Sequence, residues 1–241
     1  MTDFKELAER HWRGEADLVR EHHPVQATFP GAQEIAPGLL FFKGVAAISV
    51  VDTGAGLVML DAGTKRDIDR VYEAVRAWRP DTPLAAAVFS HHHIDHVWAT
   101  RRFDQEAEQR GWSKPVVYAH SLLPEHFDRY RKTQAWNRAI NRRQFLGHAS
   151  TLEWPVDYRS PDVPFDRSLT LKLGDLHFEI RHARGETDDH LWVWVPERRW
   201  IFPGDLFIWA VPNAGNPQKV QRYCGEWGEA LREMAALEAE L

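Results

Sequence analysis

Seven consecutive residues, Ser90-His91-His92-His93-Ile94-Asp95-His96, concentrate most of the chemistry this chain can offer. His91 and His93 are two apart, so in extended backbone their side chains point the same way, and His92 points elsewhere. Asp95 and His96 follow where the chain turns toward a helix. This order can present two imidazoles to one metal and a carboxylate with an imidazole to a second. Such a donor set suits zinc, in one or two ions, with manganese or iron as the alternatives. A loose histidine tract on a surface would bind nothing in particular. The placement of this one, directly after a short apolar run, favours the metal. The chain has a single cysteine, Cys224, far in sequence from any histidine, and it is assigned no role.

The elements that would position the cluster can be read from periodicity. Residues 84–89 are continuously apolar, as for a strand covered on both faces. Before them, Ile68, Val71, Tyr72, Val75 and Trp78 form one stripe of a helix over 65–78. Short strands are expected at 39–42, 46–51 and 57–60, with a glycine-containing turn at 52–56. After the cluster the pattern predicts a helix over 97–110, a buried strand at 115–118, and a helical, rather basic stretch over 121–150. Residues 151–167 hold three prolines and read as a long loop. Alternating apolar residues on either side of Gly174-Asp175 predict a hairpin, and strands follow at 191–195 and 200–202. A helix over 3–21, with Leu7, Trp12, Leu18 and Val19 as its apolar positions, opens the chain. A proline- and glycine-punctuated connector covers 22–38, and a helix over 220–241 closes the sequence. The order β-rich, α, β-rich, α predicts an α/β fold of two sheets packed face to face with helices outside.

Composition narrows the function classes. At 241 residues the chain can bury a sizeable core as one domain with extensions. Thirty basic against thirty-five acidic side chains argue against a nucleic-acid partner. No apolar run approaches the ~20 residues of a membrane span, so no membrane partner is expected. The charged N-terminus lacks an apolar signal region, which with the lone cysteine points to the cytoplasm. Thirteen histidines justify the search for metal ligands, and eleven tryptophans hint at an apolar substrate groove.

The segment His91-His92-His93-Ile94-Asp95-His96 resembles the signature of the metallo-β-lactamase superfamily of dinuclear metallohydrolases. Three further segments fit that pattern. Leu60-Asp61-Ala62-Gly63 is similar to an upstream strand end whose acid supports the site. Gly185-Glu186-Thr187-Asp188-Asp189-His190 stands where most members have Gly-His-Thr-x-Gly-His. Phe202-Pro203-Gly204-Asp205 resembles the strand end whose carboxylate bridges two metals. The resemblance implies an αββα sandwich over residues 37–241, after an N-terminal helix and connector over 1–36, with 121–167 as a helical and loop insertion. Glu186 in place of histidine is similar to the alkylsulfatase branch. So are Asn141-Arg142-Arg143-Gln144-Phe145-Leu146-Gly147 and Val211-Pro212-Asn213-Ala214-Gly215-Asn216-Pro217.

On this reading His91, His93, Asp95, His96, Glu186 and Asp205 are the metal ligands. Asp188 and Asp189 compete with Glu186, because three acids lie within four residues. A carboxylate at Asp205, after an apolar strand, needs a cation if buried. Asp95 and His190 are the catalytic candidates, His190 as a residue that orients a ligand rather than binds metal. The family usually supplies another histidine from a strand after the last long helix. No histidine follows His190 here, so the fold is expected to lack that strand; His120, at a strand end, could reach the site but reads first as a structural histidine.

The function expected is hydrolysis of a sulfate ester or similar small-molecule ester by a metal-activated hydroxide. Arg142, Arg143, Asn213 and Lys219 are candidates to hold the anion, and Trp136, Phe207 and Trp209 to line a groove for an alkyl tail. Thioester, lactone or β-lactam hydrolysis is the alternative, as is a catalytically impaired binding protein of the same fold. A homo-oligomer, or a second chain completing the site, is the protein partner expected.

Overall fold

A computed structural model describes residues 3–15, 31–144, 153–208 and 222–241. The element order is α1 (Phe4–Trp12), β1 (Ala32–Ala36), β2 (Leu39–Lys43), β3 (Ala47–Asp52), β4 (Leu57–Leu60), α2 (Ile68–Trp78), β5 (Leu84–Val88) and α3 (Thr100–Arg110). Then come β6 (Val116–His120), α4 (Leu123–Lys132), α5 (Gln134–Gln144), β7 (Val163–Phe165), β8 (Ser168–Leu173), β9 (Leu176–His182), β10 (Leu191–Val195), β11 (Trp200–Phe202) and α6 (Cys224–Ala236). Strands β1 to β7 form one sheet in sequence order, antiparallel through β4 and parallel from β4 onward. Strands β11-β10-β9-β8 form a second, antiparallel sheet.

Side-chain alternation stacks these sheets. On β4, Val58 and Leu60 point to the second sheet, where Phe178, Ile180, Leu191 and Val193 meet them. Leu57 and Met59 point the other way, to Val71 and Val75 of α2 and Phe103 of α3. On β10, Leu191, Val193 and Val195 enter the core between the sheets, while Trp192 and Trp194 pack against Trp227, Ala230 and Met234 of α6. Both strands read as unbroken apolar runs because both faces are covered. The result is the expected αββα sandwich. Most of the described tryptophans, Trp98, Trp154, Trp192, Trp194, Trp200 and Trp227, are buried core rather than groove lining.

Several boundaries differ from the sequence reading. Helix α1 stops at Trp12, where Arg13 caps it, and Trp12 is 87% exposed rather than part of a buried stripe. Leu18 and Val19 lie outside the described residues. Part of the expected connector pairs with β2 as strand β1, and part of the expected 151–167 loop pairs with β6 as β7. Edge strands this short carry little periodicity to detect. Helix α6 ends at Ala236, and the chain then returns along the edge of β11. There the Ile201 N–H donates to the Leu241 carbonyl (2.8 Å) and the Glu240 N–H to the Arg199 carbonyl (2.8 Å). No strand follows α6 among the described residues. No helix among them is long and apolar enough to cross a membrane.

Candidate metal centre

The ends of β4, β5, β9 and β11 meet at one edge of the sandwich. Past β4, Asp61 takes a left-handed backbone (φ 60°), which aspartate tolerates better than most residues, and turns its carboxylate toward the end of β5. Both its oxygens are used: Oδ1 accepts from the Ser90 backbone N–H (2.7 Å), and Oδ2 from the Ser90 hydroxyl (2.9 Å). Oδ2 also lies 2.8 Å from His96 Nδ1. The Ser90 hydroxyl is 2.9 Å from His91 Nδ1. One acid and one hydroxyl thus tie the Nδ1 sides of two imidazoles and leave their Nε2 atoms facing inward, the usual support for metal-binding histidines. The Ser90 carbonyl accepts from the Leu191 N–H (2.7 Å), which joins the two sheets at this edge.

The backbone over 90–96 is a series of bends rather than a strand, yet His91 and His93 converge as expected, with Nε2 of one 2.8 Å from Nδ1 of the other. Glu186 arrives from the loop between β9 and β10, its Oε2 3.8 Å from His91 Nε2. Asp205 arrives from the turn after β11. Each of His91, His93, Glu186 and Asp205 offers one ligand atom, and all four lie within 4.8 Å of one another. His96 Nε2 is buried, makes no hydrogen bond, and faces Asp205 at 3.5 Å and Asp95 at 3.7 Å. Asp205 therefore stands between the His91/His93/Glu186 side and the Asp95/His96 side.

Electrostatics describe a place built for positive charge. Burial, with the neighbouring imidazoles, pushes His91 well below the usual histidine range, so it is neutral. Burial alone would do the same to His96, but the Asp61, Asp205 and Asp95 carboxylates hold it well above that range. Burial would raise Asp205, yet His96 and a hydrogen bond with Glu186 hold it well below the carboxylate range. Two inward imidazoles, the buried Glu186 carboxylate and the half-buried Asp205 carboxylate fit a divalent cation by charge and donor type.

His190 lies beside the cluster, between His91 and Asp205. Its Nε2 accepts from the Asp205 backbone N–H (3.1 Å), its ring stacks on His91 (centroids 4.7 Å apart), and burial lowers it to about 4. Gly204 makes this approach feasible. Its φ is +55°, and a Cβ there would sit 2.8 Å from His190 Cε1 and 2.9 Å from Ser90 Cβ.

The structure separates the three competing acids. Asp189 Oδ1 lies 2.8 Å from His92 Nδ1, and Asp188 Oδ1 lies 2.6 Å from His126 Nε2; only Glu186 joins His91 and His93. His120 stacks on His182 and bonds the Asp166 carbonyl instead of entering the cluster. Arg142 is ion-paired with Glu153. Asn213, Lys219 and Trp209 lie outside the described residues. Sequence reading missed the hub at Ser90, the His92–Asp189 and His126–Asp188 pairs, and a buried ion pair between Arg222 and Glu186. The three pairs join residues 36 to 97 apart, which leaves no local pattern to find.

A sequence profile described as "Metallo-beta-lactamase superfamily" matches residues 43–241, most of the chain. The chain belongs to the metallo-beta-lactamase superfamily. Within it, an (R)-specific secondary-alkylsulfatase from Pseudomonas sp is 32% identical over 99 residues, which is 40% of this chain and 15% of that protein. The solved stereoselective inverting sec-alkylsulfatase Pisa1 from Pseudomonas sp. superposes with a TM-score of 0.69 at 20% identity. That match covers 86% of this chain and 37% of Pisa1, so the chain spans about a third of that relative's length. A protein solved in a di-iron-bound form aligns with a TM-score of 0.56 at 21% identity over 87% of each chain. The second and third likenesses bear on fold alone.

Proposed function

We propose that this chain is a metal-dependent hydrolase acting on a sulfate ester or related ester of a small molecule. The convergence of His91, His93, Glu186 and Asp205, with Asp95 and His96 beside them, carries the reading. These residues would hold a divalent ion, which when bound would supply Lewis acidity and lower the pKa of water toward ~7. The chain's own residues do the rest. Ser90 and Asp61 fix the rings of His91 and His96, burial keeps His91 neutral with its Nε2 lone pair inward, and His190 holds the Asp205 backbone in place. Asp95, with a quarter of its side chain exposed, is the acid positioned to receive a proton at the mouth. This donor set requires no serine or cysteine nucleophile. Cys224 is exposed at the start of α6.

The sulfate preference rests on the alkylsulfatase relatives and on the acid at position 186. Phe207, two residues past Asp205, is 72% exposed and suits an apolar substrate tail; Trp136, at 57%, is a second exposed aromatic. The protein loaded in turn with zinc, manganese or iron should be assayed on alkyl sulfates, carboxylic esters, thioesters, lactones and β-lactams. Turnover of alkyl sulfates above the other classes, lost in His93→Ala, is the expected result. Turnover of another class alone moves the substrate assignment, and no turnover with bound metal identifies a binding protein on this fold.

A further inference from the structure

Glu186 is engaged from two sides. Oε2 faces His91, and Oε1 accepts from the guanidinium of Arg222. Arg222 lies two residues before α6, and the Arg222 and Glu186 side chains are 8% and 7% exposed. Burying such a pair costs much of what its attraction returns, so stability alone is a weak reason to place it here. The surroundings fix where the arginine stands. The Tyr223 N–H donates to the Gly185 carbonyl (2.9 Å), next to Glu186. The Trp227 indole N–H donates to the Leu206 carbonyl (2.7 Å), next to Asp205. A Cβ on Gly185 would lie 2.3 Å from Leu206 Cδ2 and 3.2 Å from Trp227 Cγ, so only glycine lets these three segments close together. The head of α6 is thereby anchored to both loops that deliver carboxylates to the centre.

We infer that Arg222 is a positioning residue of the metal centre: it holds Glu186 Oε1 so that Oε2 is the oxygen presented to the ion, and it offsets one carboxylate charge there. The inference rests on the reading of His91, His93 and Glu186 as metal ligands. Residues bonded to metal ligands are worth about 10–100-fold in metal affinity when removed. A guanidinium also holds a carboxylate in a fixed fork that an ammonium lacks.

The test is zinc titration of the full, metal-stripped chain by calorimetry, together with the visible spectrum of the cobalt(II) form. Wild type, Arg222→Met, Arg222→Lys, Glu186→Gln and the Arg222→Met/Glu186→Gln double variant are compared. Arg222→Met is expected to weaken zinc binding about 10–100-fold and to alter the cobalt spectrum, with Arg222→Lys recovering part of both. In the Glu186→Gln background the arginine substitution should change zinc affinity by less than about 2-fold, because the carboxylate that the arginine holds is gone. Should Arg222→Met fail to fold, Arg222→Lys decides, with a weaker affinity and a shifted spectrum expected. Wild-type affinity and spectrum in the arginine variants overturn the inference, as does an equal loss with and without Glu186. Zinc binding by wild type that Glu186→Gln leaves unchanged overturns the ligand reading itself, and the Arg222 inference with it.

Discussion

Two clusters of histidine and acid lie side by side in this protein, and similar residue types do different things in them. In one, His91, His93, Glu186 and Asp205 aim their ligand atoms at a common centre, and nearby His96 Nε2 is buried without a hydrogen bond. In the other, His92, His126, Asp188 and Asp189 are matched one to one: His92 with Asp189 at 2.8 Å, and His126 with Asp188 at 2.6 Å. The two rings stack with centroids 4.0 Å apart, and Arg129 donates to His92 Nε2 at 3.4 Å. Ligand atoms of His92, His126 and Asp189 also lie within 4.8 Å of one another. Proximity is therefore not what separates the clusters. Each imidazole of the second already has its own carboxylate. In the first, Glu186 and Asp205 share one centre with His91 and His93 instead of pairing one to one with them.

Substitutions can break this contrast. The largest effect is expected at His93: His93→Ala should lose at least one bound metal by elemental analysis and reduce hydrolysis by about 10³-fold or more. His92→Gln, one residue away, should keep its metal content, and equal metal loss in the two would erase the distinction. Asp189→Ala should lower stability by about 2–3 kcal/mol in chemical denaturation, by breaking a buried hydrogen bond to a charged group, with the metal content retained. Gly204→Ala reports on the join between the two sheets. Its φ of +55° and the contact with Ser90 Cβ predict a loss of about 2 kcal/mol and weaker metal binding, because the added methyl displaces His190 and, through it, Asp205.

The smallest effect is a pH dependence of the metal-stripped protein. Burial lowers His190 to about 4 and lowers His92 as well, so the unfolded chain takes up protons near 6.5 where the folded chain does not. These two therefore contribute stability above pH 6.5 that is lost as pH falls, over 6.5 to about 4 for His190. His96 runs the other way: its pKa is raised, so its contribution is full below 6.5 and lost as pH rises through its folded pKa. Denaturation midpoints of the stripped protein should therefore fall on acidification below 6.5, and His92→Gln should flatten that fall. An unchanged slope would mean that the His92 ring is open to protons in the folded chain.

Much of this arrangement was legible in the chain. Strands β4, β5 and β10 announce themselves as unbroken apolar runs, because a strand covered on both faces has no polar side to show. The residues 91–96 cluster reads as metal-binding because its ligands are close in sequence. The edge strands β1 and β7 were hidden, since each gains its hydrogen bonds from a neighbour and carries little pattern of its own. The end of α1 was misplaced because Trp12 continues an apolar spacing but faces solvent.

Sequence alone therefore determined the superfamily pattern, the sheet-forming segments and the local ligand group, all properties of residues near one another along the chain. Tertiary structure decided the rest. It brought Glu186, rather than Asp188 or Asp189, beside His91 and His93 and set Arg222 against it, and it left His92 and His126 paired with Asp189 and Asp188. Each of these depends on which loop ends meet at one edge of the sandwich, and on which carboxylates already have a partner when they arrive there.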